Sequence, residues 1–121
     1  MGCPLSFSVK GGMGSALLGK PEVMHDIVST LKRNLNLAVT VKIRLLENIS
    51  DMVELGKRVE RAGADAVAIH ARYVPDRSNT VPARWDAVRP LTDALTIPTI
   101  ANGDVFHPED VAAIYRATVS H

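Results

Sequence analysis

Three short β-branched runs break an otherwise helical rhythm along the chain: Ala38–Arg44 (AVTVKIR), Ala66–Arg72 (AVAIHAR) and Ile97–Asn102 (IPTIAN). Each has the length and make-up of a buried strand. Their first residues lie roughly 28 and 31 positions apart, the spacing of repeated βα units. Helix-period segments fill the intervals. Val23, Ile27 and Leu31 recur at four-residue steps after Pro21, which suits a first helical turn. Met52, Leu55, Val59 and Ala62 form a second stripe, opened by Ser50-Asp51 and closed by Gly63. Val88, Leu91 and Leu95 form a third, which Pro90 keeps short. A fourth opens at His107-Pro108-Glu109-Asp110 and carries Val111, Ile114 and Tyr115; its early acidic residues complement the helix dipole.

The predicted order is therefore helix, strand, helix, strand, helix, strand, helix. Such alternation implies an α/β fold with a parallel sheet under helices. Three strands leave two open edges, and a full eight-fold βα barrel takes about 250 residues. Residues 1–121 thus read as part of a larger barrel, opening on a Gly2-Cys3-Pro4 loop and ending at Ala117–His121 before a further strand.

Composition narrows the class. With 46% hydrophobic and 22% charged residues, the chain is that of a folded domain rather than a disordered tail. No apolar run approaches the ~18 residues of a membrane span, and no signal pattern opens the chain. One cysteine excludes an internal disulfide and a multi-cysteine zinc site, and fits a reducing, cytoplasmic setting. A net charge of +1 provides no strong field for polyanions.

Ligands of parallel α/β folds bind at the carboxyl ends of strands. Alternation puts Thr40, Lys42 and Arg44 on one face of the first strand, and Ala66, Ala68, His70 and Arg72 on one face of the second. Buried cations require an anion or polar ligand, so Lys42 and His70 are candidates for gripping a cofactor. A salt bridge and a hydrogen-bonded core histidine are the plainer alternatives. The third strand runs into Asn102-Gly103-Asp104, where a glycine allows close backbone approach and N–H groups can cradle phosphate; the same tripeptide also suits a plain turn. Cys3, alone between a glycine and a proline, can act as a nucleophile, a general acid or a small inert residue. Gly11-Gly12-Met13-Gly14 follows no recognisable strand and makes a poor phosphate loop.

Five segments taken in order, Met1-Gly2-Cys3-Pro4, Lys10–Leu18 (KGGMGSALL), Val41-Lys42-Ile43-Arg44, Ile69-His70-Ala71-Arg72 and Ile100-Ala101-Asn102-Gly103-Asp104, resemble the flavin-dependent tRNA-dihydrouridine synthases. Phe7–Gly14 (FSVKGGMG) is most similar to the eukaryotic tRNA-dihydrouridine synthase 2 branch. The resemblance implies a partial TIM (βα) barrel: strands 5–7 with their helices, plus the loop and helix after strand 4. It implies that residues 1–121 belong to the FMN-binding catalytic barrel, without the C-terminal helical tRNA-binding domain. It further implies NADPH or NADH as reductant of FMN, hydride transfer to C6 of a uracil in tRNA, and protonation of C5 by Cys3 to give 5,6-dihydrouridine. By the same resemblance Lys42 contacts the flavin, where a cation stabilises negative charge on the N1–C2=O edge. His70 contacts FMN, and Asn102, Gly103 and Asp104 bind its phosphate end, Asp104 through its backbone N–H because a carboxylate there would repel phosphate. Lys10 and Arg72 are candidate contacts to RNA phosphate or to the flipped base.

The family's first-strand Pro-Met segment, an upstream glutamine and a strand-eight Gly-Arg clamp have no counterpart in this sequence. The expectation is a tRNA partner, no membrane and no metal, a cytoplasmic monomer at full length, and an inactive protein when residues 1–121 stand alone. Two rival readings are another FMN barrel reductase acting on a free pyrimidine, dihydroorotate-dehydrogenase-like, and a non-catalytic truncated product. The residues do not specify a tRNA position or a nicotinamide preference.

Overall fold

A computed structural model describes residues 1–76 and 80–119; the expectations for Ser120 and His121 lie outside the described residues. The alternation is as the sequence predicts. A short helix α1 (Ser6–Lys10) and a 3-10 turn (Gly14–Gly19) precede α2 (Pro21–Asn34), β1 (Thr40–Leu45), α3 (Ile49–Arg61) and β2 (Ala66–Tyr73). A second 3-10 turn (Trp85–Val88) leads into α4 (Arg89–Ala94), followed by β3 (Thr99–Asn102) and α5 (Pro108–Thr118). The strands form a three-stranded sheet in the order β1-β2-β3, parallel throughout, with the alternation of a βα barrel segment.

Two strands start later than their apolar runs, for local reasons. Val39 donates its N–H to the Asp65 carboxylate at 2.7 Å and accepts from Asp65 N–H at 2.8 Å, so it is bonded to a loop rather than to the ladder. Pro98 has no N–H to give, although its carbonyl still accepts from Val67 at 3.0 Å.

Val41, Ile43, Leu45, Val67, Ile69 and Ala71 point from the sheet into the core, where Met52, Leu55 and Val59 of α3 and Val88, Leu91 and Leu95 around α4 meet them. Asn48 caps α3 by accepting from Asp51 N–H at 3.1 Å, two residues before the expected Ser50-Asp51 opening. Gly63, with φ 103°, ends it as expected. Glu60 ties α3 to the start of β3 by accepting from Thr96 N–H and Oγ1, each at 2.7 Å, and from Ile97 N–H at 3.0 Å. Arg89 closes the arc by donating to the last carbonyls of α5, Arg116 at 2.8 Å and Ala117 at 3.1 Å.

Two stripes are corrected. On α2 the buried residues are Met24 and Val28, whereas Val23, Ile27 and Leu31 are 42%, 36% and 39% exposed. On α5 only Ile114 of the three expected residues is buried; Val111 and Tyr115 are exposed. A four-residue step drifts around the helix, and each of these helices stands at an end of the arc, where one side has no helical neighbour among the described residues.

Candidate functional site

Parallel register sets the site. Arg44 pairs with His70 and His70 pairs with Asn102, so three polar side chains from three strands form one row across the sheet at its carboxyl end. One step earlier, Lys42 lies beside Ala68 on the same face. Over this row passes the N-terminal segment, which approaches so closely that a Cβ on Gly2 would sit 3.2 Å from the Ile43 carbonyl carbon. The result is a cavity of about 460 Å³ lined by Met1–Pro4 together with Lys42, Arg44, His70 and Asn102.

The glycine-rich stretch explains how Cys3 is held. Gly14 has φ 58°, and a Cβ there would lie 2.5 Å from the Cys3 carbonyl oxygen and 2.6 Å from Ser8 Oγ. Only glycine accommodates that approach without displacing Cys3. The next residue, Ser15, donates its N–H to the same Cys3 carbonyl at 2.8 Å. The run that fails as a phosphate loop is thus a backbone clamp on the cysteine.

The lining is rich in donors. Lysine and arginine have no acceptor, and asparagine has an amide group to offer. Partial desolvation beside the cavity wall and the neighbouring Arg44 depress the Lys42 ammonium below its ordinary value. Burial, followed by Arg44, Lys42 and Arg72, likewise lowers His70, against which Asp104 raises it less. His70 Nδ1 is buried and has no hydrogen-bond partner among the described residues. Such a wall suits a ligand that carries acceptors or negative charge.

Alternation puts Arg44 on one face with Lys42 without marking it as a site residue; in the fold it lines the cavity and donates to the carbonyls of Tyr73 at 2.9 Å and Asp76 at 3.4 Å. The signal was available in its position two residues after Lys42.

The remaining candidates lie elsewhere. Lys10 ends α1, exposed and away from the cavity lining. Arg72, expected at RNA, is turned inward and only 2% exposed. Its Nη2 donates to both carboxylate oxygens of Asp104 at 2.6 Å, and its Nε donates to the Val81 carbonyl at 2.6 Å. A guanidinium so enclosed is stable only because a carboxylate meets its fork. Asp104 also accepts from Ala83 N–H at 2.7 Å, and these bonds, led by that from Arg72, hold its carboxyl below the ordinary range. Its carboxylate therefore serves the loop. Gly103 (φ 120°) and Asp104 (φ 57°) both adopt left-handed backbone, and Trp85 braces the turn by donating Nε1–H to the Gly103 carbonyl at 2.8 Å.

The dihydrouridine synthase (Dus) family profile matches residues 1–121. A Schizosaccharomyces pombe protein named tRNA-dihydrouridine(20a/20b) synthase [NAD(P)+] is 38% identical over 106 residues, covering 86% of this chain and 32% of the relative. The Saccharomyces cerevisiae tRNA-dihydrouridine(16/17) synthase [NAD(P)(+)] is 33% identical over 115 residues, 93% of this chain and 27% of the relative. The Ralstonia nicotianae tRNA-dihydrouridine(16) synthase is 35% identical over 114 residues, 92% of this chain and 35% of the relative. The chain spans about a third of the length of these relatives.

Proposed function

The chain belongs to the dihydrouridine synthase family, and we propose that it forms the central part of an FMN-dependent, NAD(P)H-driven enzyme that reduces uridines of tRNA to 5,6-dihydrouridine. The observation that carries this reading is the convergence of Cys3, Lys42, His70 and Asn102 on one cavity at the carboxyl ends of parallel strands. The family match over residues 1–121 favours tRNA over a free pyrimidine as substrate. By this reading β1–β3 are the fifth to seventh strands of the barrel and α2 follows the fourth.

The donor-rich wall and the unpartnered His70 Nδ1 fit an anionic, acceptor-rich group such as FMN. FMN held there would, once reduced by NADPH or NADH, be the source of the hydride for C6 of the uracil ring. Cys3 holds the proton at Sγ and delivers it to C5, its backbone fixed by Gly14 and Ser15. Lys42 would offset negative charge on the flavin edge, and His70 and Asn102 would hydrogen-bond FMN, Asn102 toward its phosphate end. Gly103 and Asp104 offer backbone N–H groups at the phosphate end. Lys10, at the exposed end of α1, contacts RNA phosphate.

The chain by itself would hold FMN weakly and turn over no tRNA, because the relatives are about three times as long and other βα units and a helical tRNA-binding domain would complete the site. The full-length enzyme would be a cytoplasmic monomer.

The test is a pair of half-reactions in the full-length protein. Cys3→Ala should leave flavin reduction by NADPH largely intact while slowing dihydrouridine formation by about 10²–10⁴-fold, the usual contribution of a positioned acid. Equal loss of both half-reactions refutes the proton-donor role.

A further inference from the structure

His70 meets different chemistry on its two ring nitrogens. Nε2 lies 3.4 Å from Arg72 Nη1, and a guanidinium can only donate. The same edge of the ring is backed by Gly103, where a Cβ would come within 3.3 Å of Nε2. Nδ1 is buried with no partner among the described residues. Arg72 is itself held in place by Asp104 and the Val81 carbonyl.

We infer that Arg72, locked by Asp104, is a positioning residue that forces His70 Nε2 to accept and so keeps the ring's single proton on Nδ1. His70 then carries its one N–H at the buried Nδ1, which no described residue meets, and takes no part as an acid or base. The logic is that of a carboxylate-oriented histidine with the polarity reversed: a cation, rather than a carboxylate, selects the tautomer. The charged groups around the ring agree with a neutral imidazole, since Lys42, Arg44 and Arg72 outnumber the lone anion Asp104. This deepens the flavin reading above and rests on it only for the identity of the acceptor.

The experiment is a long-range ¹H–¹⁵N spectrum of the ¹⁵N-histidine-labelled protein at neutral pH, with His70→Gln identifying the His70 signals among the four histidines. In the unsubstituted protein His70 should show the neutral Nδ1–H pattern. Arg72→Met should shift it toward the Nε2–H pattern, and Arg72→Lys, which restores a donor and a charge for Asp104, should bring it back. An Nε2–H or doubly protonated His70 in the unsubstituted protein overturns the inference, whether or not the Arg72 variants fold. So does an unchanged tautomer in a folded Arg72→Met variant. Millimolar FMN should then move the Nδ1 signal. If the tautomers behave as stated but FMN leaves that signal unmoved, the flavin reading fails at this atom while the Arg72 relay stands.

Discussion

On one side of β2, Val67, Ile69 and Ala71 press into the helices and are almost wholly buried. On the other, Ala68 and His70 face the cavity side, with His70 set between Arg44 and Asn102. Both faces come from one eight-residue strand, and their demands are opposite. The helix-facing side is filled by shape and apolar area, where each atom removed costs packing. The cavity side carries charge and, at His70 Nδ1, a buried nitrogen without a partner among the described residues, which cost stability unless a ligand meets them. Arg72 breaks the division. It shares a face with His70, yet it is as enclosed as any core residue and is made tolerable by Asp104.

The comparison yields a graded set of expectations. Ile69→Ala should have the largest effect on folding, a loss of about 2–5 kcal/mol from the helix-facing side, read as a shift of the urea midpoint. A loss under about 1 kcal/mol would mean that this face is not the packed one. Gly14→Ala comes next, at about 1–3 kcal/mol, because both the positive φ and the Cys3 carbonyl oppose a methyl group. The same change should alter the rate at which a disulfide reagent modifies Cys3, while Gly19→Ala, with open space around it, should not.

A pH effect follows in size. His70 lies below its ordinary value of 6.5 in the folded protein, so the unfolded chain binds the extra proton first as pH falls. Stability is therefore full above 6.5 and declines below it, by at most about 1.4 kcal/mol per pH unit for one proton. Asp104, held below 3.8, adds a further loss as pH drops beneath that value. His70→Gln should flatten the decline between these two limits; an unchanged slope would locate the titrating group elsewhere. Lys42→Ala is the smallest in stability, within about 0.5 kcal/mol, because its side chain is exposed on the cavity side. In the full-length protein it should nonetheless weaken FMN binding about tenfold, equivalent to about 1.4 kcal/mol by fluorescence titration. Unchanged affinity and unchanged redox behaviour would remove Lys42 from the site.

Alternation along each strand was enough to put Lys42 with Arg44, and His70 with Arg72, on common faces, because a pleated strand has a fixed period of two. The α3 stripe was equally legible, since Met52, Leu55 and Val59 are covered from both flanks. The same reasoning failed on α2 and α5. There the apolar period is real, but which part of it is covered depends on neighbours that periodicity does not name. The glycine run was legible as glycines and not as a clamp, because its partner is the backbone of Cys3, reached only through the fold.

By itself, then, the sequence determined the alternation of strands and helices, the residues on each strand face and the ordered segments that mark the family, all of which follow from local geometry and residue chemistry. Only the tertiary structure decided that Arg72 is enclosed while Arg44 lines the cavity. That outcome rests on Asp104, which lies 32 residues away and is brought to the guanidinium by the parallel pairing of β2 with β3. No local rule can assign an ion pair whose partners meet only once the sheet has formed.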